Sequence, residues 1–219
     1  MNNWTRRLLA ALATMTLLAA CGGGGDPAPV TPPAALAPQV TVTVSNGVGL
    51  TGTFVITLED TRAPLTVANF LTYVRAGFYT GTVIHRNSPG FVLQGGGYTG
   101  PLVAGGPVPA TKPTIPPIVL EDNAGQSNLR LTVAMARLSP PNGPVDSATS
   151  QFFVNLANNT FLDRTATERG YAVFGTVTVG ADFITAIANA PCTPWAVFLS
   201  TGECLPTPNL TITSAVQTR

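Results

Sequence analysis

One histidine, His85, serves the whole 219-residue chain. It would be the only base available to a Ser-His-Asp or Cys-His nucleophilic site, but it reads as structural and no cysteine carries a matching motif, so both readings fall away. Charge is sparse as well: Asp, Glu, Lys and Arg make up 10% of the residues and leave a formal net charge of +1. No basic run or stripe stands out, so the electrostatic footprint of a nucleic-acid partner is missing. Membrane-spanning length is also lacking. The largely apolar stretch at residues 8–20 covers thirteen positions, short of the roughly 20 that a transmembrane helix takes. An alternating βαβ rhythm and internal repeats are absent too, which removes the doubly wound and solenoid architectures.

What is present starts with Arg6 and Arg7 ahead of that stretch, the layout of an export signal over residues 1–20. The signal ends in Leu18-Ala19-Ala20-Cys21, which resembles the lipobox of bacterial lipoproteins. The resemblance implies cleavage after Ala20 and lipidation of Cys21. The protein would then be anchored to a membrane rather than spanning it, in the bacterial cell envelope and facing the periplasm. Gly22 after the cysteine leans by the same resemblance towards the outer membrane; an ordinary signal peptide that carries a cysteine is the alternative. Residues 21–38 are Gly-, Pro- and Ala-rich with one charge, Asp26, and read as a flexible tether. Residues 39–219 suffice for one domain with its own core. Loss of Arg6 and Arg7 leaves nine basic against ten acidic residues, a net charge near −1. Lipidation of Cys21 leaves Cys192 and Cys204, an even pair in a disulfide-permissive compartment, and a bridge is expected. A metal site, the competing use, lacks ligands: His85 lies 107 positions before Cys192 and no third cysteine remains.

Along the domain, residues 39–45 and 50–58 alternate or are β-branched, with Asn46-Gly47 between them as a hairpin signal. Val67, Phe70, Leu71 and Val74 recur at i, i+3, i+4 and i+7, predicting a helix over 64–76 that starts near Pro64 and stops at Gly77. Strands are expected at 81–86, 91–95, 129–136, 152–156, 171–177 and 210–216, and a second helix at 181–190 before Pro191. Residues 96–117 read as a long Gly/Pro-rich surface excursion. Many short strands with two helices predict a mainly β protein, a closed antiparallel barrel capped by helices; a sandwich is the runner-up.

Five ordered blocks then stand together: "IHRNSPGFVLQGGG" (84–97), "LTVAMAR" (131–137), "SQFFVNL" (150–156), "FLD" (161–163) and "YAVFGTV" (171–177), preceded by "APLTVANFLTYVRAGFY" (63–79). In order and spacing they closely resemble the cyclophilin family of peptidyl-prolyl cis-trans isomerases, from about residue 39 to the C-terminus. The resemblance implies an eight-stranded antiparallel barrel with two helices and a groove on one outer face. It assigns Arg86 as the catalytic arginine, Gln94 as the polar residue that orders arginine and substrate, and Phe91 as part of the catalytic set. Val92, Phe153, Phe161, Leu162 and Tyr171 fall at the proline pocket, and Ala136 and Arg137 at a strand edge that pairs with substrate backbone. Four positions depart from many members: Val92 replaces methionine, Arg137 asparagine, Phe161 tryptophan and Tyr171 histidine. Phe161 stands where cyclosporin-sensitive members carry their indole, so weak cyclosporin binding is expected.

The chemistry implied explains those residue types. An X-Pro bond has a cis/trans bias of only about 0.5–1 kcal/mol, but resonance sets a barrier of about 18–20 kcal/mol. No bond breaks, so neither nucleophile, cofactor nor metal is required. Catalysis needs a donor for the proline nitrogen in the twisted amide, and an arginine offers one that never titrates. Partners implied are proline-containing polypeptides, acted on by a monomer that assists folding of exported proteins. The alternative is a non-catalytic groove that binds proline segments, as a chaperone or adhesion module. Two positional expectations follow from alternation. His85, next to Arg86, points away from it and is structural. Val92 and Gln94 share a face that Phe91 does not, so bringing all three to one groove requires a bulge or twist after Pro89-Gly90. Gly95-Gly96-Gly97 lacks the helix and Lys-Ser/Thr of a phosphate loop and reads as close backbone packing.

Overall fold

The computed structural model describes residues 36–122, 125–196 and 199–219. The signal segment 1–20, Cys21 and the tether up to residue 35 lie outside the described residues.

Alternation decides the first hairpin. In β1 (Gln39–Ser45) Val40, Val42 and Val44 are buried while the threonines between them face outward, and β2 (Thr51–Leu58) does the same with Phe54, Ile56 and Leu58. Asn46 Oδ1 accepts from the Val48 and Leu50 amides, closing the turn that Asn46-Gly47 announced. The helix α1 (Pro64–Arg75) follows, with Val67, Phe70, Leu71 and Val74 all buried and Gly77 left-handed just past its end. Its N-terminus lacks a local side-chain cap. Instead Glu121, 55 residues downstream, accepts from the Thr66 amide at 2.7 Å and the Leu65 amide at 3.1 Å, placing a carboxylate at the positive end of the helix.

The remaining elements are β3 (Thr82–Ser88), β4 (Val92–Thr99), β5 (Thr132–Met135), β6 (Phe152–Asn155), β7 (Val173–Val179), α2 (Ala181–Ala188), β8 (Cys192–Pro194), β9 (Cys204–Pro206) and β10 (Leu210–Gln217). Strand order runs β10-β1-β2-β7-β5-β6-β4-β3, and β10 pairs back onto β3 through Leu210↔Ile84. The sheet is thereby a closed eight-stranded antiparallel barrel with two helices, not a sandwich. Its interior joins Val40, Phe54, Leu93, Val133, Phe152 and Phe174 with α1 and α2 residues; Phe70 meets Phe152, Tyr79 and Phe174 ring to ring at 4.9–5.7 Å.

Four features differ from the sequence reading. Strand β4 continues to Thr99 rather than ending at 95, because Gly96 takes a left-handed φ of +84° beneath Tyr79 and Gly97 leaves room for the Gln151 side chain. Strand β5 is shorter than 129–136: Leu131 sits at φ 69° in a turn that starts with Leu129. The segment after β4 is also tied down. Leu102 packs with Val83, Trp195, Leu199 and Leu205 in a second apolar cluster, and Ile118 bridges to Ala148. A short hairpin, β8–β9, was not foreseen either. It joins the barrel where Cys204 pairs with Asn87 of β3, and the expected disulfide Cys192–Cys204 closes it, with Cα atoms 5.5 Å apart.

Candidate active site

One register irregularity positions the site. Between β3 and β4, Ile84 pairs with Gly95 and Arg86 with Gln94, so two steps along β3 match one along β4. His85 is the extra residue of this bulge. Ile84 belongs to the barrel interior; without the bulge, Arg86 two positions on would point inward as well. With it, Arg86 emerges beside Gln94 on the outer face. The pairing continues across the sheet as Gln94↔Phe153, Phe153↔Ala134 and Ala134↔Val173, one row spanning β4, β6, β5 and β7.

Val92, Ala134, Phe153 and Val173 form an apolar floor on this face, with Phe91, Ala136, Leu162 and Tyr171 half-buried around it. A cavity of about 180 Å³ opens there, lined by Arg86, Phe91, Val92, Gln94, Ala136, Arg137, Phe153, Leu162 and Tyr171. The row of residues singled out in the sequence is thus brought to one place, with one exception. Phe161 is 71% exposed and stands outside the cavity, stacked on Phe91 at 5.6 Å between ring centroids.

Phe91 reaches the groove from the turn Pro89-Gly90, not from a strand. Gly90 is left-handed at φ 71°, and Phe91 donates to the Ser88 carbonyl. Its own carbonyl accepts from the Leu156 amide at 2.8 Å and from Asn159 Nδ2 at 2.9 Å. Asn159 in turn bonds Asn155, which reaches Asn128 and Thr132, and Asp163 accepts from the Asn128 amide at 2.7 Å. This buried polar network pins the turn. The bulge expected after Pro89-Gly90 is not there: β4 runs in regular step from Val92 to Gln94, Phe91 comes from the turn, and the bulge in β3 acts on Arg86 instead.

Arg86 Nη1 donates to Gln94 Oε1 at 2.9 Å, its Nη2 donates to Glu203 Oε1, and its guanidinium carbon lies 5.6 Å from the Phe91 ring centroid. Gln94 Nε2 continues to Gln151 Oε1 at 2.9 Å. The far wall is built differently. Arg137 lies over Tyr171 at 4.4 Å and donates to the Gly170 and Arg169 carbonyls at 2.9 and 2.7 Å. The same two residues answer to Asp122, which takes Arg169, Arg164 and the Gly170 amide. Burial opposes the Asp122 charge, but these donors outweigh it and hold the carboxyl down at about 2. Ala136 and Arg137 continue past Met135, where β5 ends, and Ala136 donates its amide to the Gln151 carbonyl. They lie just past the last ladder pair of β5, Met135↔Phe152, at the rim of the cavity.

His85 is buried beside Tyr98, with ring centroids 4.7 Å apart, and is not part of the cavity lining. Burial first and the neighbouring Arg86 charge second lower its pKa to about 3. Among the described residues no group of three or more His, Cys, Asp or Glu side chains is arranged to hold a metal. Sequence reasoning passed over Gln151, although it sits inside a quoted motif, and Glu203 and Asp122, which no local pattern marked.

Comparison with known proteins agrees with this architecture. The sequence profile described as cyclophilin type peptidyl-prolyl cis-trans isomerase/CLD matches residues 39–216. Peptidyl-prolyl cis-trans isomerase A of Dickeya dadantii is 40% identical over 181 residues, covering 81% of this chain and 82% of that one. A peptidyl-prolyl cis-trans isomerase of Acinetobacter baylyi is 43% identical over 146 residues, covering 67% and 72%. In three dimensions, a cyclophilin type peptidyl-prolyl cis-trans isomerase of Cryptosporidium parvum shares the fold with a TM-score of 0.63 at 19% identity, over 84% of this chain and 98% of that one. With its closed barrel, its bulge-directed arginine and a profile match over nearly the whole domain, the chain belongs to the cyclophilin-type peptidyl-prolyl cis-trans isomerases.

Proposed function

We propose that the groove isomerises X-Pro bonds of exported or envelope proteins and so assists their folding, with Arg86 as the residue that lowers the barrier. The observation that carries this reading is the cavity itself, which sets a charged donor and an amide at one side of an apolar floor. A proline ring resting on Val92, Ala134 and Phe153, between Phe91 and Leu162, is held while the preceding carbonyl turns. Arg86 then donates to the proline nitrogen, which regains its lone pair only in the twisted amide and so binds the donor most strongly there. Gln94 fixes the guanidinium and keeps a second polar group at the rim. The apolar floor excludes water and strengthens the contact. The step needs no cofactor and no metal, and the protein works as a monomer.

The anchor completes the reading. Lipidated Cys21, followed by the Gly/Pro-rich tether, holds the domain at the periplasmic side of the cell envelope, at the outer membrane by the residue after the cysteine. Replacing Cys21 by alanine then moves the protein into the soluble fraction, and unchanged membrane fractionation would defeat the anchor. Exchange NMR on a short X-Pro peptide, with wild type and Arg86→Ala side by side, tests the catalytic role. A wild type that binds the peptide without accelerating exchange would make the groove a non-catalytic binding module.

A further inference from the structure

Arg86 is the residue on which the proposed reaction depends, and one of its two terminal nitrogens is taken by a side chain outside every motif of the groove. Glu203 lies 117 positions downstream, in the turn that leads into β9. Its side chain is 10% exposed and that of Arg86 23%, so the pair is mostly shielded from water. Ion pairs at open surfaces contribute little, whereas removing one partner of a shielded pair leaves the other charge uncompensated.

The carboxylate is itself held. Its other oxygen, Oε2, accepts from the Ser200 amide at 3.1 Å, and the Glu203 amide donates to the Ser200 carbonyl at 3.1 Å. The next residue, Cys204, pairs with Asn87, the residue after Arg86, and is bridged to Cys192. The hairpin is thus fastened to β3 one position away from the arginine it engages. Around the guanidinium, Gln94 occupies Nη1, Glu203 occupies Nη2 and the Phe91 ring lies beside the plane. Arg86 is gripped from β4, from the Pro-Gly turn and from the disulfide-closed hairpin. A free arginine samples many rotamers, and ordering it during each turnover would add to the barrier.

We propose that Glu203, presented by the disulfide-closed hairpin, is a positioning residue of the isomerase: it holds the Arg86 guanidinium in the orientation that offers a donor to the groove. Glu203 does not touch substrate; it acts through Arg86. The claim rests on the catalytic role proposed for Arg86 and adds a component from outside the shared motifs.

The test uses the full chain with its disulfide intact and compares wild type, Arg86→Ala, Glu203→Ala and Glu203→Gln. Glu203→Ala is expected to lower kcat about ten-fold while KM for the peptide stays within about two-fold, since the ring pocket is untouched. Glu203→Gln keeps an oxygen acceptor without the charge and is expected to recover most of that loss. The second readout is the nitrogen-15 spectrum of the Arg86 guanidinium. Wild type gives distinct signals for the two Nη groups, from restricted rotation, and Glu203→Ala merges them. The spectrum of the alanine variant also reports whether its fold is retained, and the glutamine variant stands in where it is not. Wild-type kcat in Glu203→Ala, or an increase in kcat, would overturn the proposal, as would an unchanged guanidinium spectrum. A wild type without isomerase activity defeats the reading of the groove and this proposal with it. An active wild type, an inactive Arg86→Ala and an unaffected Glu203→Ala defeat the positioning role alone.

Discussion

Two neighbouring rows of the same strands meet opposite fates. Leu93, Val154 and Val133 form a row facing into the barrel, and Gln94, Phe153, Ala134 and Val173 form the row one residue over, facing out. Solvent exposure barely separates them: Leu93 and Val154 are 3% exposed, Phe153 4% and Val173 2%. What separates them is the company they keep. The inner row is met by the far wall of the barrel and by α1 in one continuous cluster. The outer row is met by half-buried Phe91, Ala136, Leu162 and Tyr171, and ends at Gln94 and Arg86. A core and a site can therefore share burial, and the difference lies in whether the covering side chains close over the floor or leave a cavity with a charged donor at its edge.

The sharpest way to break this comparison is to truncate adjacent phenylalanines. Phe152→Ala is expected to cost about 3–5 kcal/mol of stability in denaturant unfolding, because the cavity it leaves lies in the closed interior. Phe153→Ala is expected to cost about 1–2 kcal/mol, since its space opens to the groove, and to raise KM for X-Pro peptides instead. Equal stability losses would erase the distinction between the rows. Next in size, Arg86→Ala is expected to lower kcat/KM about 10²–10³-fold, the effect of losing one donor to developing charge, and a loss below ten-fold in exchange NMR would contradict its role.

His85 sharpens the comparison at the bulge between the rows. Its folded pKa lies near 3, below the ordinary 6.5, so the unfolded chain takes up a proton first as the pH falls. Stability from this residue is therefore complete above about 6.5 and declines by about 1.4 kcal/mol per pH unit towards 3. Unfolding midpoints of wild type and His85→Gln are expected to diverge in slope below pH 6.5; parallel curves would refute the assignment. The smallest effect belongs to Phe161→Trp. An exposed residue outside the cavity is expected to change stability by less than about 0.5 kcal/mol. The variant should nevertheless gain cyclosporin affinity through the indole donor, as calorimetry would show, and tight binding by wild type would sink that expectation.

Much of the fold was legible along the chain because its signals are local. Val40, Val42 and Val44 alternate in a strand, Val67, Phe70, Leu71 and Val74 repeat at helical spacing, and Asn46-Gly47 marks a turn; each needs only neighbours in sequence to be read. The groove residues were legible through motif resemblance, and nine of the ten line one cavity. Phe161 is the exception, since whether a ring lines or borders a cavity depends on the packing of the short helical turn that carries it. Glu203, Asp122 and Glu121 were illegible because their partners lie 117, 47 and 55 positions away, beyond any periodicity.

Composition, alternation and turn chemistry by themselves determined a mainly β chain with two helices and a bridgeable cysteine pair; the chemistry was legible only through the motif resemblance. These are properties of single residues and near neighbours, and water sorts them by hydrophobicity and backbone preference alone. Tertiary structure alone decided which face Arg86 takes. A one-residue bulge at His85 inverts the alternation there, and in a ladder with a period of two, one added residue sends every following side chain to the opposite side of the sheet.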